Sequence, residues 1–499
     1  MSKQKNALKA RIPKGFRAAL LRDVLCGVKR WLALGVLATV ASTVTAYLTP
    51  LIISFTVDSV IGEKAPALPA PLLRLFEALG GRAGLQQSLW LMGAAVFAVS
   101  LGNAAASYLR GHSMAFVGET MAKKLRDRLF RHLQDVPYRY YSTAQTGDLI
   151  QRCTTDVEMV RRFVQVQMIQ VVRTVCMAVT AFSIMLPISG TMTAISCCLM
   201  PLLIVFSFIY FRRVQAQFLK ADEAEGAMST MLQEDLTGMR VVRAFAQEGA
   251  ELRRFTQKNK AYRDTVTRLN TLMGAYWGAS DTLGYLQIAL SLCAGVWFAA
   301  QGRFTLGNVM LFSTYTSMLT FPMRQLGRIL ADLGKADVSL TRLEDILCAP
   351  AEAEPGRALT PALDGEVAFE HVSFAYADGA PEALHDITFR VPAGATVGIL
   401  GSTGSGKSTL AQLMQRLWPV DKGRILLSGV DIRDIERHHL RRSVGLVLQE
   451  PFLYGRTIGE NIAIARPGAA REEVFAAART ASVHDVIESF ADGYDTVVG

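Results

Sequence analysis

The chain has 499 residues, enough for two or three domains, and a formal net charge of +10. Hydrophobic residues make up 51% and charged residues 19%, against about 25% charged in soluble domains, and the deficit is concentrated before residue 335. That distribution excludes a uniformly soluble protein. The basic residues sit beside apolar spans, which fits membrane orientation and leaves no reason to expect a nucleic-acid partner.

The first thirty residues, 1–30, form a basic leader. Lys3, Lys5, Lys9, Arg11, Lys14, Arg17, Arg22, Lys29 and Arg30 stand against Asp23 alone. Within it Phe16, Leu20, Leu21, Val24, Leu25 and Val28 make a helical stripe, expected to lie as a short amphipathic helix on the inner membrane surface. Residues 31–335 carry six apolar segments with cores near 32–57, 88–110, 164–188, 190–211, 277–301 and 306–330. Each reaches the ~20 residues needed to cross a ~30 Å hydrocarbon layer. Six such runs argue against a large soluble helical domain. The connections 111–163 and 212–276 are long, basic and rich in helix formers, so they read as helical extensions beyond the lipid. Gly147 and Gly238 are the expected turning points of those extensions. The Lys/Arg bias puts the N-terminus, both long connections and the C-terminal part in the cytoplasm of a multi-pass protein of the cell membrane. Seven cysteines suggest neither a disulfide framework nor a zinc site. Asn103, Arg173, Asp281, Arg324 and Arg328 fall in or beside the spans and are named as no site.

Residues 336–365 read as a linker, with Pro350, Pro355 and Pro361 in its Ala/Pro/Gly-rich part. From 366 to 499 the pattern changes to short alternating strands, over Val367–Phe374 and Leu384–Val391. Gly401, Ser402, Thr403, Gly404, Ser405, Gly406, Lys407, Ser408 and Thr409 then fit the phosphate-binding pattern G-x-x-x-x-G-K-[ST]. The apolar run Gly394–Leu400 before it suits a buried parallel strand. Leu410, Leu413, Met414 and Leu417 after it share one helical face. Strand, glycine loop and helix would aim backbone N–H groups at the phosphates of ATP. An ATP-binding loop on a membrane chain suggests that ATP drives work on the bilayer.

With these features the chain resembles a half-transporter of the ABC exporter type. The resemblance implies a multidomain fold: an all-α polytopic membrane domain of six transmembrane helices with long cytoplasmic extensions, plus an α/β P-loop NTPase domain. It places Tyr376 against adenine. It gives Lys407 and Gln449 the catalytic roles toward the γ-phosphate, and makes Ser408 and Gln449 the ligands of Mg²⁺. Thr146–Ile150 and Asp235–Phe245 look like the two segments that couple membrane helices to nucleotide domains. The LSGGQ signature, the Walker B aspartate and the glutamate after it do not occur in the sequence. The resemblance therefore implies that the NTPase domain is incomplete at Gly499, that 1–499 alone does not hydrolyse ATP, and that an isolated 360–499 piece aggregates. The implied function is ATP-driven export of a small or amphipathic compound by an alternating-access dimer with a second half-transporter subunit. Two alternatives remain: a truncated, non-hydrolysing half that binds only nucleotide or a partner, and an importer with exporter architecture.

Overall fold

The computed structural model describes residues 16–65, 70–352, 357–377, 379–449 and 451–499. The leader up to residue 15 and Pro355 lie outside the described residues. Two compact units result. One runs to Gln134 and resumes over Gly147–Ala349; the other combines Asp135–Thr146 with Pro350–Gly499.

The first unit begins with α1 (Phe16–Val24). Leu20, Val24 and Val28 are buried in protein, and Arg17 donates to Glu344 Oε2 at 2.9 Å and Asp337 Oδ1 at 2.6 Å. For these three residues the stripe expected on the membrane surface is directed at protein instead. There follow α2 (Lys29–Ile61), α3 (Ala70–Ala78), α4 (Gly81–Gln87) and α5 (Trp90–Asp135). After α6 (Tyr138–Thr143), which belongs to the second unit, come α7 (Thr146–Ile188), α8 (Gly190–Thr237), α9 (Met239–Ala244), α10 (Glu248–Ala300) and α11 (Leu306–Leu347).

Among the described residues five helices, α2, α5, α7, α8 and α10, are long and apolar enough to cross a membrane, so the region is multi-pass in character. α11 has the length, but Asn308, Ser313, Thr314, Thr316, Ser317 and Thr320 dilute its apolar stretch. The helices outrun the bilayer: the 53 residues of α10 span about 80 Å, against a hydrocarbon layer of about 30 Å.

Gly147 is the second residue of α7; the chain leaves the helix just before it, at Ala144 and Gln145, and also earlier, at Val136 and Pro137. Gly238 does separate two helices. Residues 336–347, expected as linker, are the last turns of α11. No proline interrupts them, and Ala336, Leu343 and Ile346 are buried.

Packing between the long helices uses rings and small residues. The Tyr315 hydroxyl donates to Tyr47 O at 2.7 Å, and the two rings lie 4.7 Å apart. A Cβ on Gly327 would meet Phe211 Cδ2 at 2.7 Å and Ser207 O at 2.8 Å, so α11 crosses α8 where only glycine fits. Asp281 pairs with Arg324, whose guanidinium also lies over the Trp277 and Phe321 rings. Asn103 accepts from the Ser42 hydroxyl at 2.8 Å. These partners account for three of the polar groups noted in the spans.

The break in α8 shows how a backbone group is satisfied away from water. The helical ladder is interrupted at Cys198 and Leu199, just before Pro201. Buried Gln287 of α10 inserts its amide there. Its Oε1 accepts from Leu199 N at 2.8 Å, and its Nε2 donates to Ile195 O at 2.9 Å. Gln287→Leu keeps the volume but leaves the Leu199 N–H without an acceptor. It should destabilise the protein by about 1–3 kcal/mol, seen as a lower midpoint of unfolding in detergent.

The second unit holds β1 (Val367–Phe374), β2 (Leu384–Val391), α12 (Lys407–Met414), β3 (Lys422–Leu427), β4 (Val430–Asp431) and α13 (Arg437–Ser443). The sheet order is β2-β1-β3-β4, antiparallel throughout. Phe369, Val372, Phe374, Leu413, Ile425 and Leu440 form its core with α12 and α13. A second sheet pairs β5 (Arg456–Thr457) with β6 (Val497–Val498) beside α14 (Ile458–Ile462), α15 (Arg471–Thr480) and α16 (His484–Glu488).

The run Gly394–Leu400, expected as a buried parallel strand, is neither strand nor buried; Leu400 is 96% exposed. Residues 444–449, which lead to Gln449, are irregular too, with Val447 98% exposed. A parallel strand exists only through neighbours on its edges. Among the described residues no strand pairs with either segment.

Candidate nucleotide-binding site

The phosphate loop follows the exposed 394–400 segment and ends on α12. Gly404 and Gly406 have φ of +86° and +89°. At Gly406 a Cβ would also meet Leu384 Cδ2 at 2.6 Å and Ala383 O at 2.8 Å, so both the turn and the approach to β2 require glycine. Gly401 is less constrained, since a Cβ there would meet the Ser405 side chain, its Oγ at 2.5 Å, which can rotate away.

Lys407 closes the loop on itself. Its Nζ donates to Gly401 O at 2.8 Å and Ser402 O at 2.7 Å. No side chain caps α12, whose N-cap is Gly406, so its first N–H groups stay open to an anion. Ser402, Thr403, Gly404, Ser405 and Ser408 are exposed, and Lys407 is half-buried. An ammonium, several hydroxyls and a free helix N-terminus, with no carboxylate in the loop, suit a polyphosphate.

Thr409 points the other way. It is buried, and its Oγ1 shares a 2.7 Å hydrogen bond with the Tyr376 hydroxyl. Tyr376 also meets Phe374 and Trp418 edge-on, each ring 5.0 Å away, yet remains 41% exposed. The loop and the adenine-facing candidate are thus joined through Thr409. Gln449 is not drawn in. It is exposed and hydrogen-bonds to no described residue, so no direct contact links it to Lys407 or Ser408. Among the described residues no group of three or more His, Cys, Asp or Glu could hold a metal. Mg²⁺ would have to be held by the Ser408 hydroxyl, the Gln449 amide and the nucleotide's own phosphates.

Trp418 was not singled out from the sequence, where it merely ended the expected helix. It is 5% exposed, and it also meets Tyr138 of α6 edge-on at 5.8 Å. The Glu352 N–H also donates to Asp135 O at 2.6 Å, which ties the same segment to the chain after Pro350. The first expected coupling segment is Thr146–Ile150; α6 lies just ahead of it and clusters with the nucleotide-binding unit. The second, around α9, shows exposed Leu236, Val241 and Phe245.

Comparison with known proteins agrees with this construction. The ABC transporter transmembrane region family matches residues 32–323, and the ABC transporter ATP-binding family, described simply as ABC transporter, matches 384–497. YgaD, an ATP-binding/permease protein of Bacillus subtilis, is 32% identical over 394 residues, 79% of this chain and 68% of its own. A fatty acid ABC transporter ATP-binding/permease protein of Mycobacterium bovis is 33% identical over 382 residues, 77% of this chain and 60% of its own. The uncharacterized ABC transporter ATP-binding protein YfiC of Bacillus subtilis is 28% identical across 100% of this chain and 80% of its own. The chain belongs to the ABC transporter family, with a membrane domain and a nucleotide-binding domain on one polypeptide.

Tyr376→Ala should weaken ATP binding by about 1–2 kcal/mol, within the range of base–aromatic stacking. Tyr376→Phe, which keeps the ring and loses the bond to Thr409, should cost about 1 kcal/mol or less. Titration of the two variants with a fluorescent ATP analogue separates the contributions; equal losses would place the tyrosine's role in its hydroxyl.

Proposed function

We propose that this chain is one half of an exporter-type ABC transporter that moves a small or amphipathic compound out of the cell at the expense of ATP. The observation that carries the reading is the phosphate loop itself. It sits at an uncapped helix N-terminus on the same chain as a transmembrane region, in a compact unit that includes α6 from between two membrane helices. α11 would be the sixth span, which the family match extending to residue 323 supports. The boundary between the two domains falls in the stretch beginning at Pro350. The Lys/Arg bias supports a cytoplasmic N-terminus and nucleotide domain.

In this reading ATP enters with its adenine on the exposed face of Tyr376. Its phosphates exchange for the Gly401 and Ser402 carbonyls that hold Lys407. Lys407 and the loop N–H groups then neutralise β/γ-phosphate charge, which is most of what phosphoryl transfer asks of a protein. Ser408 and Gln449 would hold Mg²⁺, which supplies further neutralisation; Gln449 has no competing hydrogen bond and is free to do so. A second half-transporter subunit completes the dimer, and the nucleotide-bound and nucleotide-free states favour outward-open and inward-open helices. The amphipathic substrate class is supported by the fatty acid transporter among the relatives.

Reconstitution with its partner subunit in proteoliposomes tests this. ATP-dependent movement of a fluorescent amphiphile away from the nucleotide-domain side should fall by about a hundredfold or more in Lys407→Ala, the scale for losing a key charge-stabilising group. The membrane helices should keep their far-ultraviolet spectrum. Transport that survives the substitution, or runs toward the nucleotide domain, contradicts the proposal.

A further inference from the structure

A cavity of about 930 Å³ lies in the membrane unit at the helix ends opposite the long extensions. It is near the upper end of the ~300–1,000 Å³ typical of small-molecule sites. Leu48, Leu51 and Phe55 of α2, Phe76 of α3, Leu79 in the turn after it, and Phe304 before α11 supply apolar walls. Its polar groups are few and unequal. Asp58 is already engaged: it accepts from the Thr305 hydroxyl and from Gly307 N at 2.8 Å, and so holds the start of α11. Lys64 and Arg303 also line the cavity, and neither side chain has a carboxylate partner among the described residues. An apolar body with two unneutralised cations and one committed anion selects for an anionic amphiphile.

We propose that this cavity binds a long-chain amphiphile with a carboxylate or phosphate headgroup, the chain among the aromatic and aliphatic walls and the headgroup between Lys64 and Arg303. The two cations are exposed, so the headgroup stays at the water boundary while the chain is removed from it. Both sources of such a molecule, a free fatty acid and an anionic bilayer lipid, present the same chemistry. The site lies within one membrane unit and needs neither nucleotide nor a second subunit. Its failure would leave the exporter reading untouched, and loss of transport would leave this site untouched.

Photolabelling of the full chain in phosphatidylcholine nanodiscs tests the proposal. The probes are diazirine-bearing palmitate, the matching neutral palmityl alcohol, and diazirine-bearing phosphatidylglycerol, with labelled peptides read by mass spectrometry. One or both anionic probes should label Leu48–Asp58 or Phe304–Leu311, and the alcohol should label them far less. Lys64→Ala with Arg303→Ala should reduce labelling by about tenfold or more, as expected for losing charged hydrogen-bond partners. Lys64→Arg with Arg303→Lys should retain it. Labelling by palmitate alone assigns the site to free fatty acid, and labelling by phosphatidylglycerol assigns it to bilayer lipid; either supports the proposal. Equal labelling by the alcohol, undiminished labelling of the double alanine variant, or labelling only outside these segments overturns it.

Discussion

In hydrocarbon every backbone amide must find its partner within the protein, and that requirement shapes this architecture more than any side-chain contact. It makes the membrane region helical and keeps each helix continuous. Where continuity fails, before Pro201, it recruits the Gln287 side chain of a neighbouring helix to complete the ladder. A helix satisfied along its whole length is also a stiff rod. α5, α7, α8, α10 and α11 carry that stiffness well past the thickness of a bilayer. Their extensions bury apolar residues, Met121, Leu125 and Leu129 of α5, Val157 and Val160 of α7 and Leu343 and Ile346 of α11, and are also tied by charge: Arg342 of α11 donates to Asp148 Oδ1 of α7 at 2.5 Å.

The nucleotide-binding unit is organised around an aromatic column. Tyr376, 41% exposed, meets Trp418 edge-on, and Trp418 in turn meets Tyr138 of α6. A purine stacked on Tyr376 would therefore be one buried ring away from the segment that joins α5 to α7. Thr409 links the same tyrosine to the phosphate loop. The candidate adenine contact, Tyr376, and Thr409 of the phosphate loop are thus directly bonded, although they lie 33 residues apart in sequence.

The elements legible in the sequence were those specified locally. Hydropathy and length marked the long helices, the G-x-x-x-x-G-K-[ST] spacing marked the loop, and alternation marked β1 and β2. Positions set by long-range partners were harder to read. Gly394–Leu400 has the composition of a buried strand, but strand formation depends on neighbours that composition does not report. The stripe of α1 has the pattern of an interfacial helix, yet Arg17 finds Asp337 and Glu344 more than three hundred residues away. Gly147 marks its turn only to within two residues, the break lying at Ala144 and Gln145, and a second break at Pro137 carried no glycine. Trp418 carried no local signal at all; its importance lies in meeting both Tyr138 and Tyr376.

The central claim is that nucleotide bound at Lys407 is felt at α6. Hydrogen exchange of the protein in lipid nanodiscs, with and without a non-hydrolysable Mg–ATP analogue, measures this directly. Binding should slow exchange both across 401–409 and across 138–143, and Trp418→Leu should preserve the first effect while weakening the second. Protection confined to 401–409, with 138–143 exchanging as in the free protein, would contradict the claim.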